Sequence, residues 1–290
     1  EKLLLSLIRA QDPSKGKVFQ AKVTNLPDMD GLLLLLFQLV LGLASGLVMS
    51  LIGASAVMII VPGLNIVLNY RMHTAIGVSL LVDVLASIAV GYAYWRHGNV
   101  DLRQGLWIAL GSVVGAQLGA GTTVVLSSWF LAVSYGIWMI TAGATIWKKG
   151  LDRASIADRF YKYIHFESAI KRAAVALFLG VLIGFNCGVF GAGGGILIML
   201  VLMFVLDYPI RKAVGTSTVI MAVTAASATA GYLVRGNVDV LAGIVISAGT
   251  IFGGLQGVRY VNFASEETMS RVVGGIFMTL GVIMTALRFI

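Results

Sequence analysis

Only 34 of the 290 residues are charged, 12% of the chain, where soluble domains carry about 25%. That scarcity excludes an ordinary water-soluble fold. A single cysteine, Cys187, excludes an internal disulfide, so nothing depends on an oxidising compartment. The 3 histidines, His73, His97 and His165, with no second cysteine and no cluster of carboxylates inside apolar runs, are poor material for a metal site or a nucleophilic triad. No catalytic residue, metal or cofactor is therefore expected. Proline is scarce at 4 residues, so little breaks the long helices that the rest of the sequence suggests.

What is abundant is apolar surface and glycine. The chain is 58% hydrophobic with 35 glycines, and small residues let membrane helices approach closely. Residues 1–30 form a polar tail after the short apolar stretch Leu3 to Ile8, which is too brief to span a bilayer and has no signal-peptide pattern behind it. Apolar runs follow at 32–52, 55–69, 75–95, 105–125 and 129–147, and again at 173–190, 194–206, 213–234, 239–259 and 270–290. Most reach the roughly 20 residues that a bilayer demands. The net charge of +8 is concentrated between the two sets, where Lys148, Lys149, Arg153, Arg159, Lys162, Lys171 and Arg172 lie. Such a segment is a cytoplasmic loop rather than a nucleic-acid surface. The expected organisation is a tail at 1–30, a membrane repeat at 31–147, a basic cytoplasmic linker at 148–172 and a second membrane repeat at 173–290.

The same text recurs in both sets at one offset. Gly77, Ser79, Tyr94, Gly98, Asn99, Val100 and Asp101 reappear 138 positions later as Gly215, Ser217, Tyr232, Gly236, Asn237, Val238 and Asp239. The glycines 105, 111, 115, 119, 136 and 143 do the same. A period this long suits a membrane carrier of two related halves around a central site. The second run of each half is short and follows a glycine-containing break, Gly53 in one and Gly191 to Gly195 in the other. Non-helical backbone at membrane depth is tolerated only inside protein or along a cavity. The expected fold is therefore an all-α integral membrane protein of two homologous repeats, with broken or re-entrant helices at the glycine-rich motifs. An odd number of crossings per half makes the repeats inverted, and the placement of Arg96, Arg103, Arg211, Lys212, Arg259 and Arg271 favours this. The basic residues of the tail argue for parallel halves instead.

Three features could carry chemistry. Gly191, Gly193, Gly194 and Gly195 follow Asn186, and a glycine run at a helix start can turn consecutive amides and the positive helix end towards an anion. Isolated glycines would serve helix packing equally well. The segments around Gly77 and Ser79, and around Gly215, Thr216 and Ser217, place hydroxyls beside these breaks, although Ser and Thr in helices also bond their own carbonyls. Asp83 lies inside an apolar run, and its partner 138 positions on is Met221. An intramembrane carboxyl is a functional candidate by default, here for a coupling proton. The alternative is a structural hydrogen bond to a neighbouring helix.

The glycine run, the Ala213-Val214-Gly215-Thr216-Ser217 segment and the two Gly-Asn-Val-Asp turns together resemble the TauE/SafE family of sulfite exporters and sulfonate permeases, over about residues 32–290. The resemblance implies a duplicated carrier of small sulfur-containing anions in the cell membrane. It places substrate contacts at Gly191, Gly193, Gly194, Gly195, Gly215, Thr216 and Ser217, with Gly77 and Ser79 in the first half. The first-half glycine motif has become Gly53-Ala54-Ser55-Ala56-Val57, leaving Ser55 as its polar candidate and the two sides of the pocket unequal. Expected partners are the sulfur oxyanion or organosulfur substrate, membrane lipid and no nucleic acid. A homo-oligomer is compatible with the sequence, an anion channel is the nearer alternative function, and a membrane-embedded enzyme the more distant one.

Overall fold

The computed structural model describes residues 31–52, 55–149, 169–191, 194–206, 208–260 and 266–289. The tail at 1–30, most of the basic linker, and Gly53, Ala54, Ala192 and Gly193 lie outside the described residues. Helix α1 covers Gly31–Ile52, and α2 covers Val57–Pro62 and runs on into a π-turn at Gly63–Val67. Next come α3 (Met72–Arg96), α4 (Leu102–Thr122) and α5 (Ser128–Lys149). After the linker follow α6 (Ala169–Phe190), α7 (Gly194–Phe204), α8 (Ile210–Val234), α9 (Val240–Tyr260) and α10 (Glu266–Ala286). No strand occurs among the described residues. Shifted by 138, the bounds of α1, α3 and α4 coincide with those of α6, α8 and α9. α6 begins at Ala169, inside the stretch expected to be linker, because Lys171 and Arg172 can extend from a helix end into the interface while their stems stay apolar.

Six helices, α1, α3, α4, α5, α6 and α8, are long and apolar enough to cross a membrane. Their outward stripes agree with that. Leu106, Leu110, Val114 and Leu118 of α4 are all exposed at helical spacing, a patch that water would not tolerate but acyl chains would. α2 is kept short by its own sequence. Pro62 has no N–H to give Met58, and the helix widens into the π-turn immediately after it.

The principal packing pairs join the first five helices to the last five: α4 with α6, α1 with α9, α5 with α10, and α3 with α8. Backbone contact makes this possible. A Cβ on Gly184 of α6 would lie 2.0 Å from the carbonyl oxygen of Ser112 on α4, and one on Gly46 of α1 would lie 2.1 Å from that of Thr250 on α9. Only hydrogen fits at those crossings. Gly180, Gly184 and Gly188 meet Ile108, Ser112 and Ala116 in that order, so α4 and α6 run parallel. Gly42 and Gly46 meet Ile246 and Thr250 likewise, so α1 and α9 run parallel. Gly136 faces Gly281 and Gly143 faces Gly274, which makes α5 and α10 antiparallel.

These directions define a linker face, where α5 ends and α4, α6, α8 and α10 begin, and an opposite face, where α1, α3, α5 and α9 begin. α6 and α7 together leave the linker face and return to it, where the Tyr208 hydroxyl donates to the Asp101 carbonyl at 3.0 Å. α1 and α2 do the same from the opposite face. There the Tyr70 hydroxyl donates to Asp239 at 3.0 Å; burial and that carboxylate both raise its pKa, so it remains a donor. Arg288, just past α10, donates to the buried Asn65 at 2.7 Å and ties α2 to the same face. α3 and α8 pass between the two hairpins at the centre.

Candidate functional site

At the first break the chain re-enters helix at Val57, and the middle of α3 faces it. Asp83 is 1% exposed. Ser55 donates its hydroxyl to one carboxylate oxygen, and the Ala56 N–H donates to the other at 3.2 Å. Ser55 Oγ in turn accepts the Val57 N–H at 3.2 Å. From α5, the buried Tyr135 hydroxyl donates to the Val57 carbonyl at 3.1 Å. The partially positive start of α2 is thus met by a carboxylate of the protein itself. Two other helices pin this break in place.

The second break is built differently. α6 ends at Gly191, whose N–H donates to the Cys187 carbonyl at 2.7 Å and whose φ of +72° is a left-handed value that glycine adopts without strain. A Cβ there would sit 3.1 Å from Ile76, 3.2 Å from Val57 and 3.4 Å from Ser79 Oγ. The two breaks therefore touch at the centre, beside α3. α7 starts with buried Gly194 and Gly195. The side chain that packs against Gly194 from α8 is Met221, 3.5 Å from the position of a Cβ. Met221 occupies the place that Asp83 holds at the first break. One turn before Gly191, Asn186 has a buried Oδ1 with no hydrogen-bond partner. Phe190 stacks on Trp138 of α5, with centroids 6.1 Å apart.

The hydroxyls that the sequence suggests around an anion are each engaged. Ser79 donates to the Ile76 carbonyl at 2.7 Å and Ser217 to the Val214 carbonyl at 2.9 Å. Of these, Ser79 lies beside Gly191. Thr216 lies away from that break, near the linker face. Its Oγ1 accepts the Asp101 N–H at 2.9 Å and so holds the turn between α3 and α4. Gly77 and Gly215 serve the same crossings: a Cβ on either would lie 2.2 Å from the carbonyl oxygen of Asn237 or Asn99 in the other half's turn. Gly193 falls outside the described residues. Tyr135 and Ser87, both buried near Asp83, escape sequence reasoning. For Tyr135 a signal existed, since its partner 138 positions on is Val273, the same kind of mismatch that singles out Asp83.

Comparison with known families decides the class of protein. The family model described as sulfite exporter TauE/SafE matches residues 38–284. The chain belongs to the TauE/SafE family. It is similar to the "Probable membrane transporter protein YunE" of Bacillus subtilis, at 27% identity over 83% of this chain and 94% of that one. The "Probable membrane transporter protein YdhB" of the same organism is 26% identical over 79% of this chain and 91% of its own. The "Probable membrane transporter protein MJ0441" of Methanocaldococcus jannaschii is 25% identical over 89% and 97%. No solved structure matches. This TauE/SafE chain is a membrane protein of a transporter family, all-helical wherever it is described.

Proposed function

We propose that this TauE/SafE protein is a secondary transporter that moves a small sulfur-containing anion, such as sulfite or an organic sulfonate, across the cytoplasmic membrane by alternating access, with Asp83 carrying a coupling proton. Its two halves are inverted repeats, each a re-entrant hairpin followed by three crossings. The coincident helix bounds and the parallel pairs α4 with α6 and α1 with α9 support this. So does charge. The linker face carries Arg96, Arg103, Arg211, Lys212, Arg259 and Arg271, against Arg71, Arg235 and Arg288 opposite, as a cytoplasmic linker face requires. Lipid covers the outward apolar stripes, and a homo-oligomer is compatible with them.

One observation carries the site. Two helix starts lie side by side at the centre, and among the described residues only the first is met by a carboxyl. α2 begins against Asp83, whereas α7 begins against the thioether of Met221. An incoming oxyanion finds the first already occupied by the Asp83 carboxyl and is attracted by the amides of Gly194 and Gly195 at the second. Ser79, Ser55 and Asn186 stand around the touching breaks and can turn towards the substrate when the hairpins separate, while Ser217 is assigned to the substrate from its place in the motif alone. Beside Gly191, Cys187 and the stacked pair Phe190 and Trp138 would offer an apolar wall suited to the organic part of a sulfonate. Saturable binding of radiolabelled sulfite or taurine to the purified protein is expected to vanish in Gly194→Leu, which buries those amides, and to weaken in Asn186→Leu. Unchanged binding in both variants would overturn the assignment.

A further inference from the structure

We propose that Ser87 holds a water molecule against the Asp83 carboxyl and that this water passes the coupling proton between Asp83 and the linker face. The inference rests on Asp83 being the proton carrier. It starts from an orphan: Ser87 is 0% exposed, and its hydroxyl has no hydrogen-bond partner. Other buried hydroxyls on these helices donate back to a carbonyl of the preceding turn, as Ser45, Ser79, Ser112, Thr229 and Ser247 do. Ser87 departs from that habit. A buried hydroxyl left unpaired costs about 1–3 kcal/mol, and a bound water is the usual resolution.

Position decides what that water would do. Ser79, Asp83 and Ser87 follow one another at four-residue intervals along one face of α3. Side chains one turn apart have Cβ atoms about 5–6 Å from each other, a spacing at which a carboxyl and a hydroxyl can share one water through two hydrogen bonds of about 2.8 Å each. α3 runs from the opposite face to the linker face, so Ser87 stands one turn nearer the linker side. On the other side of Asp83, Ser79 is engaged with Ile76 and covered by Gly191. The titratable groups that face Asp83 are Tyr135 from α5 and Cys187 from α6, both close enough to feel its charge. α1, α2 and α7 contain none, and those of α8 and α9 lie at their ends. In the transfer, made while the carrier is open to the linker face, the carboxyl O–H gives its proton to the bound water, and that water, its oxygen still bonded to Ser87, passes one of its own protons to solvent water entering from that face. The carboxylate left behind keeps the Ser55 and Ala56 donors.

The test needs no transported substrate. In lipid nanodiscs at neutral pH, the carbonyl stretch of a protonated Asp83 is isolated as the infrared difference between the protein and Asp83→Asn, and its shift after transfer to heavy water times the exchange of that proton. Ser87→Ala, which removes only the hydroxyl that holds the water, is expected to slow the exchange about tenfold or more, and Ser87→Thr to restore it. Exchange at the wild-type rate in Ser87→Ala would overturn the role of Ser87 while leaving Asp83 as carrier. Absence of any protonated-carboxyl band in the difference spectrum would instead remove the proton from Asp83 itself, and this inference with it.

Discussion

With Asp83→Asn reconstituted in liposomes, counterflow of radiolabelled sulfite or taurine persists, while uptake driven by a pH gradient falls to the level of protein-free vesicles. The amide keeps an oxygen that can accept from the Ser55 hydroxyl and the Ala56 N–H, so the first break stays pinned and the carrier still cycles with substrate. What it loses is the one carboxyl found at the centre among the described residues. Asp83 is fully buried, and its described partners are a hydroxyl and an amide rather than a cation. A buried carboxyl with no cation beside it inside a membrane-spanning helix is a functional candidate by default. Under the proposed coupling, a proton bound there and released on the other face ties flux to the gradient. Gradient-driven uptake that survives in Asp83→Asn would end the coupling role, and equal loss of counterflow would reduce Asp83 to a structural pin.

The complementary change acts on the substrate. Met221→Asp copies the carboxyl of the first break onto the second, against Gly194. Two like charges about 4 Å apart, at an effective dielectric of about 20, repel by about 4 kcal/mol. That corresponds to about three orders of magnitude in affinity. Equilibrium binding of the same probes by the purified variant at alkaline pH, where the introduced carboxyl ionises, should therefore fall below detection, whereas Met221→Leu, similar in volume and uncharged, retains it. Full binding by Met221→Asp would place the anion somewhere other than the start of α7.

Much of this was legible in the sequence, and the limits of that legibility are physical. Hydropathy located every described helix, because span length is set by the bilayer and needs no tertiary information. Asp83 and Met221 stood out as a mismatch between otherwise matching halves. The partners of Asp83 did not, since Ser55 and Ala56 reach it only once the first hairpin folds back on α3. Thr216 was misleading for a similar reason. In a segment duplicated beside a predicted break its hydroxyl suggests a ligand contact, but Gly215 lets the turn at Asn99–Asp101 approach so closely that Thr216 bonds that turn. Ser87 is an ordinary serine in an ordinary apolar run. It becomes informative only when every neighbouring acceptor is accounted for, which a sequence cannot do.

The account turns on which of the two central helix starts receives the anion, and a bromine-labelled benzenesulfonate soaked into crystals of the protein locates it directly. The predicted result is an anomalous peak on the Gly191 side of the touching breaks, with the sulfonate oxygens within hydrogen-bond reach of the Gly194 and Gly195 amides. A sulfonate bound at Ala56 beside Asp83, or outside the two hairpins altogether, would contradict it.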